Sequence, residues 1–144
     1  MPQRPVRSVI ERKTPVTCSP ATSVAEAATL MRQHRVGALL VVEEERLSGI
    51  FTERDALFKV IAENRDPRAT MLSEVMTRDP QTIAPDRPFG HALHMMFEGG
   101  FRHVPVVENG RPIGVVSARD ALGSELREFA SNLETRERIG EILG

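Results

Sequence analysis

The chain has 144 residues, 40% of them hydrophobic and 27% charged, with a formal net charge of −1. That suffices for one core burying roughly two-thirds of the unfolded surface, and the balanced charge, without a run of Lys or Arg, excludes the footprint of a protein that neutralises nucleic-acid phosphates. The single cysteine, Cys18, offers neither an internal disulfide nor a thiolate cluster and fits a reducing, cytoplasmic setting; no stretch approaches the roughly 20 apolar residues that span a bilayer, and the start MPQRPVRSVIERK lacks the apolar segment of a secretory signal.

In chain order, VTC (16 to 18) is a short apolar strand segment closed by Ser19-Pro20. Ser23 stands three residues ahead of Glu26, the spacing of a capping box. Val24, Ala27, Ala28, Leu30 and Met31 recur at helical spacing and predict a helix of about three turns that ends near Gly37. ALLVV (38 to 42) reads as a strand, EEERLS as the turn after it, and GIFT (49 to 52) as a strand running into a helix over residues 53 to 62. The polar stretch NRDPRAT around Pro67 reads as a linker, and LSEVM (72 to 76) as a short helical turn.

The pattern is then written again. Residues 15 to 57 lie over residues 80 to 122 at a constant offset of 65, without a gap. Pro15 meets Pro80, Ala27 meets Ala92, Val41-Val42-Glu43 meets Val106-Val107-Glu108, and GIFTERDAL (49 to 57) meets GVVSARDAL (114 to 122). About a third of the aligned positions are identical, which points to two copies of one supersecondary unit, each needing its twin to close a core. In the second copy VPVV (104 to 107) is the strand and Asn109-Gly110 a two-residue hairpin signal. Beyond it, Leu122, Leu126, Phe129 and Leu133 fall at alternating four- and three-residue steps and mark an apolar seam on a terminal helix, predicted to serve a homodimer. The predicted fold class is α+β: β-α-β-β-α repeats over residues 1–65 and, with a linker helix, 66–125, then a helical tail over 126–144.

Thr52-x-x-Asp55 and Ser117-x-x-Asp120 each place a hydroxyl at a helix start with an acid three residues on. Locally this is a cap, the hydroxyl accepting the N3 amide and the acid bonding back. Both copies also carry a glycine at the strand start, Gly49 or Gly114, and an arginine beside the acid. A carboxylate so placed also accepts hydrogen bonds from two vicinal hydroxyls, as on a ribose.

These segments, HRVGALLVV (34 to 42) with GIFTERD (49 to 55), EVMTRDPQTIAPD (74 to 86), and GGFRHVPVVENGRPIGVVSARD (99 to 120), give the chain its resemblance to the tandem cystathionine-β-synthase (CBS) domain pair, of the stand-alone bacterial type, over about residues 5 to 125. The resemblance implies two repeats packed sheet against sheet about a pseudo-twofold axis, with two clefts for adenosine-containing ligands: AMP, ADP, ATP, NAD(H) or S-adenosylmethionine, with Mg2+ accompanying ATP. It implies one cleft built from Thr52, Arg54 and Asp55 with Asp79, Pro80 and Gln81, and another from Ser117, Arg119 and Asp120 with Thr14, Pro15 and Val16. Family members often hold phosphates with basic residues before the third strand. Arg102-His103 stands there in repeat two against Gly37-Ala38 in repeat one, so the stronger phosphate site is expected at the Asp55 cleft.

No nucleophile with its base, no P-loop and no metal-ligand spacing around His34, His91 or His94 is present, so neither an enzyme nor a metal site is expected. Trp and Tyr are absent, which leaves no stacking platform for single strands. The expected function is a regulatory module that requires no cofactor, binds an adenine nucleotide and signals to an unidentified protein target, without nucleic acid or membrane as partner. The rival is a ligand-free dimerisation module.

Overall fold

The computed structural model describes residues 3–143. Its first helix, α1 (Val6–Ile10), buries Val6, Val9 and Ile10. They lie in the core of the second repeat, beside Phe89, Leu93, Met96, Val104 and Val116. The helix that opens the second repeat, α4 (Leu72–Val75), makes the reciprocal move. Leu72, Val75 and Met76 lie in the core of the first repeat with Val24, Met31, Leu39, Phe51 and Val60. The two lead-in helices are thus exchanged between the repeats.

In the first repeat β1 (Thr17–Cys18) runs parallel to β2 (Ala38–Glu43), which pairs antiparallel with β3 (Arg46–Thr52), and β3 with β4 (Thr77–Arg78). In the second, β5 (His103–Glu108) and β6 (Arg111–Ser117) form the hairpin, and a single parallel bridge, Ile83 to Val106, stands where β1 does in the first. Both hairpins shift register at the same place, between Val41 and Val42 and between Val106 and Val107. Ala38, Leu40 and Ile50, with Val42, Leu47 and Val115 of β6 against them, form the apolar seam between the two sheets. The architecture is α+β, ending in a C-terminal helix.

Helix α2 (Val24–His34) starts where Ser23 Oγ accepts the Glu26 N–H at 3.1 Å, one half of the predicted box. It ends at Arg35, in left-handed backbone at φ 54°, and not at Gly37. The matching stop of α5 (Phe89–Gly99) is Gly100, at φ 72°, so an arginine occupies a conformation that its counterpart fills with glycine. The hairpin turn of repeat one is also tighter than EEERLS foretold. Glu44 and Glu45 alone make it, at φ 49° and 65°, matching Asn109 and Gly110 at φ 54° and 79°. Across the turn Glu43 accepts the Ser48 hydroxyl of the same hairpin at 3.0 Å, and Glu45 makes an exposed ion pair with Arg111 of the opposing hairpin at 2.9 Å.

The predicted helix over 53 to 62 is present as α3 (Glu53–Asp55) running into a π-helical segment, Ala56–Ile61. Its wide winding shows in the Ala62 N–H bond to the Leu57 carbonyl at 2.9 Å. After Ser117 the second repeat forms only a 3-10 turn, Ala118–Asp120, before α6 (Gly123–Leu143). Part of the predicted tail seam is consumed inside the chain, where Phe129 lies 4.8 Å from the His94 ring and 5.7 Å from Phe97. Leu122 and Leu126 stay 51% and 49% exposed, free for a contact elsewhere.

Gly49 sits where β3 meets β4, and a Cβ there would lie 2.8 Å from the Thr77 carbonyl oxygen and 2.8 Å from Met76 Sδ. The carbonyl belongs to a paired strand and cannot retreat as a side chain does. Gly49→Ala is expected to destabilise the protein by about 1–3 kcal/mol, the range for overpacking; an unchanged urea midpoint would show that β4 yields freely.

Candidate functional site

Each glycine-to-aspartate motif folds into the same corner. In repeat one, Asp55 Oδ2 accepts the Thr52 N–H at 3.0 Å and the Thr52 hydroxyl at 3.2 Å, while Thr52 Oγ1 accepts the Asp55 N–H at 3.2 Å. In repeat two, Asp120 Oδ2 accepts the Ser117 N–H at 2.8 Å and the Ser117 hydroxyl at 3.4 Å. The other oxygen of each acid faces a lysine. Asp55 Oδ1 lies 3.0 Å from Lys59, one turn on in the same helix. Asp120 Oδ1 pairs with Lys13, which arrives from the segment after α1. Both carboxylates are largely covered, with side chains 10% and 11% exposed, so their remaining capacity is directed and not merely solvated.

A cleft of about 540 Å³ opens at the second corner. Ser117, Arg119 and Asp120 line one wall, and Thr14, Pro15 and Val16 another, so these six predicted residues come together. Arg35, Val36, Gly37 and Ala38, from the end of α2 and the start of β2, also line the cleft, as do Lys13 and His34. Lys13 and Arg35 were missed from the sequence; the only signal was their position, just before Thr14 and just before the Gly37-Ala38 pair.

His103 departs from the expected division of charge. Its imidazole lines the Asp120 cleft, not the Asp55 side alone. A Cβ on Gly37 would lie 3.4 Å from His103 Nε2 and 2.9 Å from Glu53 Oε1, so the bare glycine makes room for histidine and glutamate where the repeats meet. His103 thus stands where the two repeats meet, at the Asp120 cleft as well as near Glu53. Arg102 is exposed, and its carbonyl accepts the Ala118 N–H at 3.1 Å.

On the Asp55 side, Arg54 donates to the Gly100 carbonyl at 3.0 Å and lies over the Phe58 ring at 5.7 Å. That arginine ties the corner to the other repeat. Asp79, Pro80 and Gln81 follow β4 beside β3, with Asp79 left-handed at φ 45°. Among the described residues no group of three or more His, Cys, Asp or Glu is placed to hold a metal ion, and no helix is long and apolar enough to cross a membrane.

The comparisons with known proteins agree with this geometry. The CBS domain family matches residues 6–62 and again 72–126, and the chain belongs to that family. It is 34% identical over 122 residues to the CBS domain-containing protein CBSX3, mitochondrial, of Arabidopsis thaliana, covering 81% of this chain and 59% of that one. A CBS domain protein of Pyrobaculum aerophilum complexed with AMP superposes with a TM-score of 0.80 at 25% identity, over 89% of this chain and 99% of that one. The CBS domain pair of protein MJ0100, in complex with 5′-methylthioadenosine and S-adenosyl-L-methionine, superposes at 0.75 with 30% identity, over 91% and 99%. The fold and two tandem CBS domains, of a kind found with adenosine ligands in these neighbours, are thereby established.

Burial holds the His103 imidazole below the ordinary histidine value of 6.5; Glu53 and Asp120 oppose the shift, while Arg102 and Arg119 add to it. The folded state thus keeps a neutral ring that the unfolded chain protonates first. Where the unfolded chain binds the extra proton, stability falls as pH falls. Between about pH 7 and pH 5 the denaturation midpoint is expected to drop, and to drop less in His103→Gln. An equal pH slope in the variant would remove His103 as a source of that loss.

Proposed function

We propose that the chain is a regulatory module that takes an adenosine-containing ligand in the Asp120 cleft and passes the occupancy on to a protein partner. The observation that carries this reading is the pairing of a covered carboxylate, fixed by Ser117, with a cleft of about 540 Å³. That volume falls in the 300–1,000 Å³ range of small-molecule sites. The backbone-anchored acid suits a ribose diol, and the segment Thr14 to Val16 offers irregular backbone and small apolar surface to a base. The AMP complex of the Pyrobaculum relative and the adenosyl complexes of protein MJ0100 support the ligand class. The candidates are AMP, ADP, NAD(H), S-adenosylmethionine, and ATP with Mg2+.

Removing the acid removes hydrogen bonds to a charged group, worth about 1.5–3 kcal/mol each. Asp120→Ala is accordingly expected to weaken AMP binding by roughly ten- to a hundredfold, with Asp55→Ala the milder of the two. Calorimetry on both variants decides it: loss confined to Asp55→Ala places the better site at the other corner. If native mass spectrometry of the purified chain with AMP added detects no complex, the ligand-free interaction module takes over.

We infer also that the module pairs with a second copy. Leu57 and Ile61 are 51% and 67% exposed, and their partners at the offset of 65, Leu122 and Leu126, are 51% and 49% exposed. Each repeat thus presents the same pair of apolar side chains, a matched surface that suits a twofold assembly. Leu126→Asp is expected to shift the sedimenting species from dimer to monomer at micromolar concentration; a wild-type monomer, or a variant that dimerises equally well, ends the proposal.

A further inference from the structure

The ion pair between Lys13 and Asp120 bears on which adenosine ligand the cleft prefers, an inference that rests on the reading of Asp120 as the ribose-binding acid. Asp120 is the one carboxylate among the described lining residues, and both of its oxygens are engaged, Oδ2 by Ser117 and Oδ1 by Lys13. A diol that takes both oxygens therefore competes with the Lys13 ammonium for Oδ1. Lys13 is 53% exposed on a flexible four-carbon stem and can swing away at little steric cost. What happens to its charge afterwards depends on the ligand.

With a neutral nucleoside the ion pair is lost and the ammonium returns to water, without a new partner. With a 5′-phosphorylated nucleoside the displaced ammonium, which lines the same cleft, gains a phosphate, and Arg35 and Arg119 stand in the lining beside it. With S-adenosylmethionine the ligand carries a sulfonium into a cleft already holding these cations, and the freed ammonium gains only the carboxylate end of the methionine. We propose that Lys13 is a specificity-determining residue: by guarding the ribose-binding acid it disfavours neutral and sulfonium nucleosides and selects phosphorylated ones.

The repeat provides an internal control. Lys59 guards Asp55 in the same way but sits on the same helix as its acid, at an i,i+4 spacing. Calorimetry on the full chain with adenosine, AMP and S-adenosylmethionine as probes, in wild type, Lys13→Met and Lys59→Met, tests the proposal. Exposed pairs contribute about 0.2–1 kcal/mol, so Lys13→Met should bind adenosine up to about fivefold more tightly. The same variant should bind AMP more weakly, so that the preference for AMP over adenosine falls about tenfold or more. S-adenosylmethionine should follow adenosine. Adenosine affinity that is unchanged or weaker in Lys13→Met overturns the guarding role and reduces Lys13 to a phosphate contact or a structural residue. Tightening in Lys59→Met instead moves the guarded site to Asp55 and overturns the assignment to Asp120. A wild type that binds none of the three probes removes the adenosine reading itself, whereas binding of all three with no Lys13 effect leaves that reading standing and rejects this one.

Discussion

Burial of α1 beneath the second repeat and of α4 beneath the first is the constraint on which the rest of the structure depends. Val6, Val9 and Ile10 on one side and Leu72, Val75 and Met76 on the other are each at most 8% exposed. Burying a side chain of this kind contributes about 1.5–3 kcal/mol. The backbone repeats the exchange: Val6 and Arg7 donate to the carbonyls of Arg87 and Pro85 at 2.8 Å, and Leu72 and Ser73 donate to those of Thr22 and Pro20 at 2.9 and 3.0 Å. Neither repeat can then complete its core without a segment that the sequence order assigns to the other. The same exchange carries Lys13 and the Thr14 to Val16 segment from the far end of the chain to Ser117 and Asp120.

What was legible in the sequence was local or periodic. The constant offset of 65 exposed the duplication, the apolar spacings of α2 marked its buried face, and the hydroxyl-to-acid spacing marked both corners, because each depends on neighbours within one turn or one strand. The unread features lack a local signal or depend on contacts between elements. Arg35 ends α2 with a left-handed backbone that propensity assigns to glycine, and Glu44-Glu45 turns a hairpin that lacks the Asn-Gly signal of its twin, with Glu45 paired to Arg111 of the other repeat. That His103 also lines the Asp120 cleft was not read, because its reach depends on what faces it, and the bare Gly37 is recognisable as space only once the sheets are together. The division of the tail seam, with Phe129 spent on His94 and Phe97, likewise needed α5 beside it.

The two corners are alike in their hydroxyl and acid but differ in the wiring of their lysines. Asp55 and Lys59 belong to one helical segment, so the geometry of their pair is set within it. Lys13 and Asp120 belong to different elements, one just past α1 and one in the 3-10 turn after β6, so their pair depends on where those elements stand relative to each other. A ligand shifts a conformational equilibrium only through interactions that differ between the states. Under the proposed reading a ligand that displaces Lys59 at the first corner breaks a contact within one helix, whereas one that displaces Lys13 at the second breaks a contact between the N-terminal segment and the repeat that shelters α1, beside the Arg4 bond to the Asp120 carbonyl at 2.9 Å.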